Sequence, residues 1–118
     1  MTRTFLLLLA LGTAPALADA PEVKQVRAER SGMGWRINVT VQHPDVGWDH
    51  FADGWEVLDA AGHRLGYREL MHPHVAEQPF TRSLFDIMIP DGTREVFVRT
   101  RCSVGGWSKT LTRVELRR

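Results

Sequence analysis

Trp35-Arg36-Ile37-Asn38-Val39-Thr40-Val41 decides the fold class. Trp35, Ile37, Val39 and Val41 fall on one face of an extended chain, and Arg36, Asn38 and Thr40 on the other. A two-residue period of this kind marks a half-buried antiparallel strand. The same alternation recurs along the chain. Trp55 and Val57 flank Glu56, and Val96, Val98 and Thr100 alternate with Phe97 and Arg99. Phe85, Ile87 and Ile89 alternate with Asp86, although Leu84 and Met88 make that run apolar on both sides. Pro21 to Glu29, Arg64 to Leu70 and Lys109 to Leu116 supply weaker strands. No segment of the mature chain holds a helical period. About seven short strands with turn signals between them predict an all-β domain, a sandwich or a barrel. Trp55 takes the place of the core Trp of immunoglobulin-like domains, without the disulfide that accompanies it in antibodies. The expected architecture is therefore an immunoglobulin-like or fibronectin-type antiparallel β-sandwich, with a closed barrel as the alternative.

The connections divide into two kinds. Ser31–Gly34, Ala60–His63 and Pro90–Gly92 are short and glycine-bearing, as tight hairpins require. The stretches at about 42–50, 71–79 and 102–108 are longer and carry unusual residues. Alternate turns of an up-and-down or Greek-key succession lie at alternate ends, so the long connections share one pole. Four of the five histidines fall there, as His43, His50, His72 and His74.

Residues 1–18 have the anatomy of a secretory signal peptide. Arg3 precedes the apolar run Phe5 to Leu11, and Ala16 and Ala18 are the small residues of a cleavage site. The run is far short of the roughly 20 residues that span a bilayer. Residues 19–118 then form a single domain, exported to the periplasm, with no transmembrane segment in the mature chain. A formal net charge of +1, without a basic stripe, sets nucleic-acid binding aside. Cys102 is the only cysteine, so no internal disulfide forms and packing alone holds the fold. Cys102 continues the inward series Val96, Val98, Thr100 and reads as a core residue. A metal ligand or an intermolecular thiol are its other readings.

The segments Trp48-Asp49-His50-Phe51-Ala52-Asp53-Gly54-Trp55-Glu56-Val57 and His72-Pro73-His74-Val75-Ala76-Glu77-Gln78-Pro79-Phe80-Thr81-Arg82-Ser83 resemble a group of uncharacterised short exported proteins of proteobacteria. The resemblance runs from about His43 to Val98. It implies a periplasmic setting and brings no activity, ligand or catalytic residue with it.

Two functional readings follow from the residues. In the first, Trp48, Asp49, His50, Glu77 and Trp107 form a recognition surface for a periplasmic protein or a small ligand, aromatic rings beside carboxylates and imidazoles being suited to that role. In the second, the protein holds copper or zinc. His72 and His74, spaced i and i+2 in an extended segment stiffened by Pro73, would lie about 6–7 Å apart on one side and could close on one ion, aided by His50, His43 or Met71. The blue-copper pattern is missing from the sequence, since no His follows Cys102 within its loop. A Cys102–His pair with Asp49 is the one conceivable nucleophilic site. With no nucleophile elbow, phosphate loop or zinc-protease helix, the chain is not expected to be an enzyme.

Overall fold

The computed structural model describes residues 20–117. The leader expected over residues 1–18 lies outside the described residues. Eight strands are present among those described: β1 (Glu22–Ser31), β2 (Gly34–Gln42), β3 (Ala52–Leu58), β4 (Arg64–Glu69), β5 (Phe80–Ile87), β6 (Glu95–Cys102), β7 (Gly106–Trp107) and β8 (Thr112–Glu115). They form two antiparallel sheets, β1-β2-β5 and β4-β3-β6, the latter extended by β7 and β8, which both pair with β6. Here the structure departs from the expected seven strands. Gly106 and Trp107, placed by the sequence in a long loop, instead pair with Cys102 and Arg101 and begin the edge strand that β8 completes.

The alternation in β2 buries what it should. Trp35, Ile37, Val39 and Val41 are all buried and meet Trp55, Val57, Val96, Val98 and Val114 of the other sheet in one core. Two packed antiparallel sheets closing over one apolar layer make a β-sandwich.

Strand β5 corrects the sequence reading. Ile37 lies opposite Leu84 and Trp35 opposite Ile87, so three steps along β5 match two along β2. This is a β-bulge, with the extra residue reversing the inward face. Asp86 adopts a left-handed φ of 56° within it. Phe85, expected inside with Ile87, is consequently turned outward, where it packs under the Arg36 guanidinium at 5.3 Å.

The outer face of the larger sheet carries a polar cluster that the sequence did not reveal. Glu56 is 1 % exposed. Its two carboxylate oxygens accept paired bonds from Arg64 (3.0 and 2.7 Å) and from Arg99 (3.1 and 2.7 Å). Trp107 lies against Tyr67 and under both guanidiniums. Tyr67 in turn covers Gly54, where a Cβ would meet its hydroxyl at 2.8 Å. Only glycine admits the ring so close to the strand.

Among the described residues, no helix is long and apolar enough to cross a membrane. The core makes a direct prediction. Trp55→Ala should destabilise the fold by about 3–5 kcal/mol, the cost of truncating a large buried aromatic. Chemical denaturation measures it, and a loss under about 1 kcal/mol would mean that Trp55 does not bridge the sheets.

Candidate functional site

The β2–β3, β4–β5 and β6–β7 connections meet at one end of the sandwich. Phe51 and Ser103 exchange two hydrogen bonds, Phe51 N–H to Ser103 Oγ at 3.0 Å and Ser103 N–H to the Phe51 carbonyl at 2.9 Å. The Leu70 N–H reaches the Asp53 carbonyl at 3.1 Å. The Gln78 side chain joins the first two loops, accepting from His43 N–H at 3.0 Å and donating to the His74 carbonyl at 2.8 Å.

Asp45 sits at the centre of this assembly, 5 % exposed. One oxygen accepts from His43 Nδ1 at 2.6 Å and from the Ala52 N–H at 2.9 Å. The other accepts the His74 N–H at 2.8 Å. One carboxylate therefore holds a loop, the first residue of β3 and the distant β4–β5 connection. Buried polar groups are stable only when satisfied in this manner.

The carboxylate also orients His43. A carboxylate accepts but does not donate, so the His43 ring carries a proton on Nδ1, and in the neutral ring Nε2 is the remaining lone pair. That Nε2 is buried with no hydrogen-bond partner. The His43 ring meets the His50 ring edge to face, centroids 5.0 Å apart. One ligand atom each of His43, His50 and Cys102 lie within 4.8 Å of one another. Cys102 is fully buried, as strand parity predicts, and unpaired in any disulfide. It reaches the histidines because Ala52 is its cross-strand neighbour, and His50 stands two residues before Ala52.

His72 and His74 are arranged differently from the expected clip. Their rings lie 4.4 Å apart, tilted by 34°. His74 is buried and stacks on Phe80 at 3.8 Å. Its Nε2 is 2.7 Å from Arg82 Nη2 and must accept from that guanidinium. The permanent positive charge of Arg82 against that nitrogen opposes a cation there. His72 is exposed and its Nδ1 bonds the Pro73 carbonyl at 3.0 Å. An i,i+2 pair in an extended segment would expose both rings to one side, but in the β4–β5 connection His74 is buried and His72 exposed.

The remaining predicted residues divide. Trp48 is 70 % exposed, edge-on to Phe51 at 5.7 Å. Asp49, Met71 and Glu77 are exposed at the same pole. Trp107 is not with them, since it belongs to the aromatic and arginine cluster on the sheet face. Asp53 forms an ion pair with Arg101. Burial raises its carboxyl above the usual range, with Arg101 opposing that shift.

The structure thus defines a two-sheet β-sandwich with a buried imidazole, carboxylate and thiol cluster beneath one loop pole. No family model matches the chain, and no solved structure matches it. A protein of the archaeon Halomicrobium mukohataei named "Putative lipoprotein" is 41% identical over 91 residues. The match takes in 77% of this chain and 44% of that protein, so the chain spans less than half the length of this relative. The relative is archaeal, and the resemblance to a proteobacterial group draws no support from it.

Two predictions follow from the geometry. Asp45→Ala strands the Ala52 and His74 amides and the His43 ring N–H together. At about 1–3 kcal/mol for each unsatisfied buried group, the variant should lose at least about 3 kcal/mol in chemical denaturation.

The second concerns pH. Burial holds the His74 imidazole below its usual range, helped by Arg82 and His72 and opposed by Asp45 and Glu77. The folded state therefore binds fewer protons than the unfolded chain once the pH drops below the free-histidine value of about 6.5. Stability present above that pH is lost on acidification. His74→Gln should flatten this dependence between neutral and mildly acidic pH, as followed by the denaturation midpoint.

Proposed function

We propose that the chain is an exported binding module of immunoglobulin-like, fibronectin-type architecture, acting through its loop pole by binding rather than by catalysis. The order of its strands, β1-β2-β5 in the three-stranded sheet and β4-β3-β6 with β7 and β8 on the far side of β6 in the five-stranded one, supports the fibronectin-type reading. Export to the periplasm is supported by the leader-like residues 1–18 and by the lipoprotein name of the archaeal relative.

The observation that carries the reading is where apolar side chains meet solvent. Of the eight large apolar side chains more than half exposed among the described residues, five (Val46, Trp48, Met71, Val75 and Val104) belong to the three loops gathered at this pole. Met33 and Met88 lie at the opposite turns and Phe85 on β5. Apolar groups concentrated at one end of a small domain, rimmed by polar residues such as Asp49, His72 and Glu77, mark a surface for a partner. Metal handling is the second reading, and it draws support from His43, His50 and Cys102 rather than from the His72–His74 pair.

Site-specific photo-crosslinking in intact cells tests the docking reading. A photoreactive side chain at Trp48 or Val75 should give discrete adducts, whereas one at Phe85, equally exposed on the β5 bulge, should give none. Equal labelling from all three positions would contradict a docking pole. Trp48→Ala should change stability by no more than about 0.5 kcal/mol, as for other surface sites, so that lost adducts report docking and not folding.

A further inference from the structure

The His43, His50 and Cys102 group offers a donor set that neither the β2–β3 loop nor the end of β6 carries alone. We infer that these residues bind a single copper(I) ion through two imidazole nitrogens and one thiolate. The inference deepens the metal-handling reading and is independent of the docking one.

Three observations carry it. First, the donors converge from separate elements: His43 and His50 from the β2–β3 loop, and Cys102 from the end of β6, all within 4.8 Å. Donors sharing one ion at metal–nitrogen distances near 2.0–2.1 Å and metal–sulfur near 2.3 Å stand about 3.5–3.8 Å apart. Closing to those distances requires the three side chains to draw together about the ion, and His50, half-buried, is the least enclosed of them.

Second, His43 is already posed as a ligand. Its Nδ1–H is bonded to Asp45 at 2.6 Å, and its Nε2 is buried without a hydrogen-bond partner. A carboxylate behind a histidine fixes the tautomer and raises the basicity of the coordinating nitrogen. An unsatisfied buried acceptor is costly, and an ion removes that cost.

Third, the chemistry and number of the donors select the metal. Thiolate and imidazole are soft and borderline ligands that favour copper and zinc over magnesium or calcium. Zinc held by only three protein side chains keeps a water in its fourth position, and His43 and Cys102 are buried from solvent here. Among the described residues this group supplies three donors, and Asp45, the adjacent carboxylate, is already spent on three N–H groups. Copper(I), a closed-shell ion content with three neighbours, is matched by the set. On binding, the copper–sulfur bond replaces the Cys102 S–H bond and its proton passes to solvent, with no change in oxidation state.

The test is an anaerobic titration of the metal-free full chain with copper(I) against a chromophoric copper(I) chelator, with X-ray absorption on the loaded protein. The expected result is one equivalent of copper with two nitrogen neighbours and one sulfur neighbour. Cys102→Ser and His50→Ala should each weaken binding by at least about 100-fold, at or above the top of the range seen when only an outer partner of a ligand is lost. His72→Ala should leave it unchanged. His50→Ala alters only a half-buried loop ring and keeps the test decisive if Cys102→Ser fails to fold, with circular dichroism confirming the fold. Copper bound equally by wild type and both variants would overturn this site while leaving metal handling standing. Zinc(II) displacing copper(I) at equal concentration would overturn the choice of ion. Binding of neither metal by the folded chain would end both this inference and the metal-handling reading.

Discussion

The Asp45 carboxylate is the contact on which this end of the molecule depends. It accepts from the His43 ring, the Ala52 amide and the His74 amide, and those three groups belong to the β2–β3 loop, the start of β3 and the β4–β5 connection. A buried carboxylate is tolerable only when its oxygens are satisfied. Its requirement for donors and the loops' requirement for an acceptor therefore enforce one arrangement. Gln78, bonded to both His43 and His74, repeats the tie from the opposite side. Loops on a small sandwich are usually its most mobile parts. Here the polar clamp extends the order of the core into them.

Beneath the clamp, the sheets determine which residues can meet. Adjacency of β3 and β6 places Ala52 beside Cys102. The loop that leads into β3 must therefore pass over the end of β6, carrying His50 with it. The cluster of two imidazoles and a thiol is thus a consequence of strand order. It sits where the core ends, so its donors are shielded while its rim of Val46, Trp48, Met71, Val75 and Val104 faces solvent.

Much of this was legible in the sequence, for identifiable reasons. The period-two pattern of Trp35 to Val41 is a local signal, and β2 realises it residue by residue. Turn alternation correctly gathered His43, His50 and His74 at one end, because it follows from antiparallel succession alone. The bulge in β5 was not legible. A single inserted residue reverses the faces without leaving a mark in composition, although apolar residues on both sides of Leu84–Met88 hinted at an ambiguous register. Glu56 read as a solvent-facing strand residue. It does face outward, but Arg64 and Arg99 come from two neighbouring strands to cover it. The donor set was legible only in part. Cys102 could be read as a metal ligand or as the partner of a histidine at the same pole, but nothing local marks the β3–β6 pairing that brings His43 and His50 to it. The rings of His72 and His74 lie at one pole and 4.4 Å apart, as their spacing suggested, but nothing in the sequence marks the stacking on Phe80 and the contact with Arg82 that bury His74 and not His72.

The central claim is that Asp45 fixes His43 with its proton on Nδ1 and its Nε2 turned to the buried cluster. Long-range proton–nitrogen NMR correlations of the imidazole rings in the metal-free protein test it most directly, because they assign the tautomer and detect protected ring protons. The account predicts a His43 ring proton on Nδ1, slow to exchange with solvent and shifted downfield by a short bond to a carboxylate. A His43 ring protonated on Nε2, or one whose Nδ1 proton exchanges as freely as that of an exposed histidine, would contradict it.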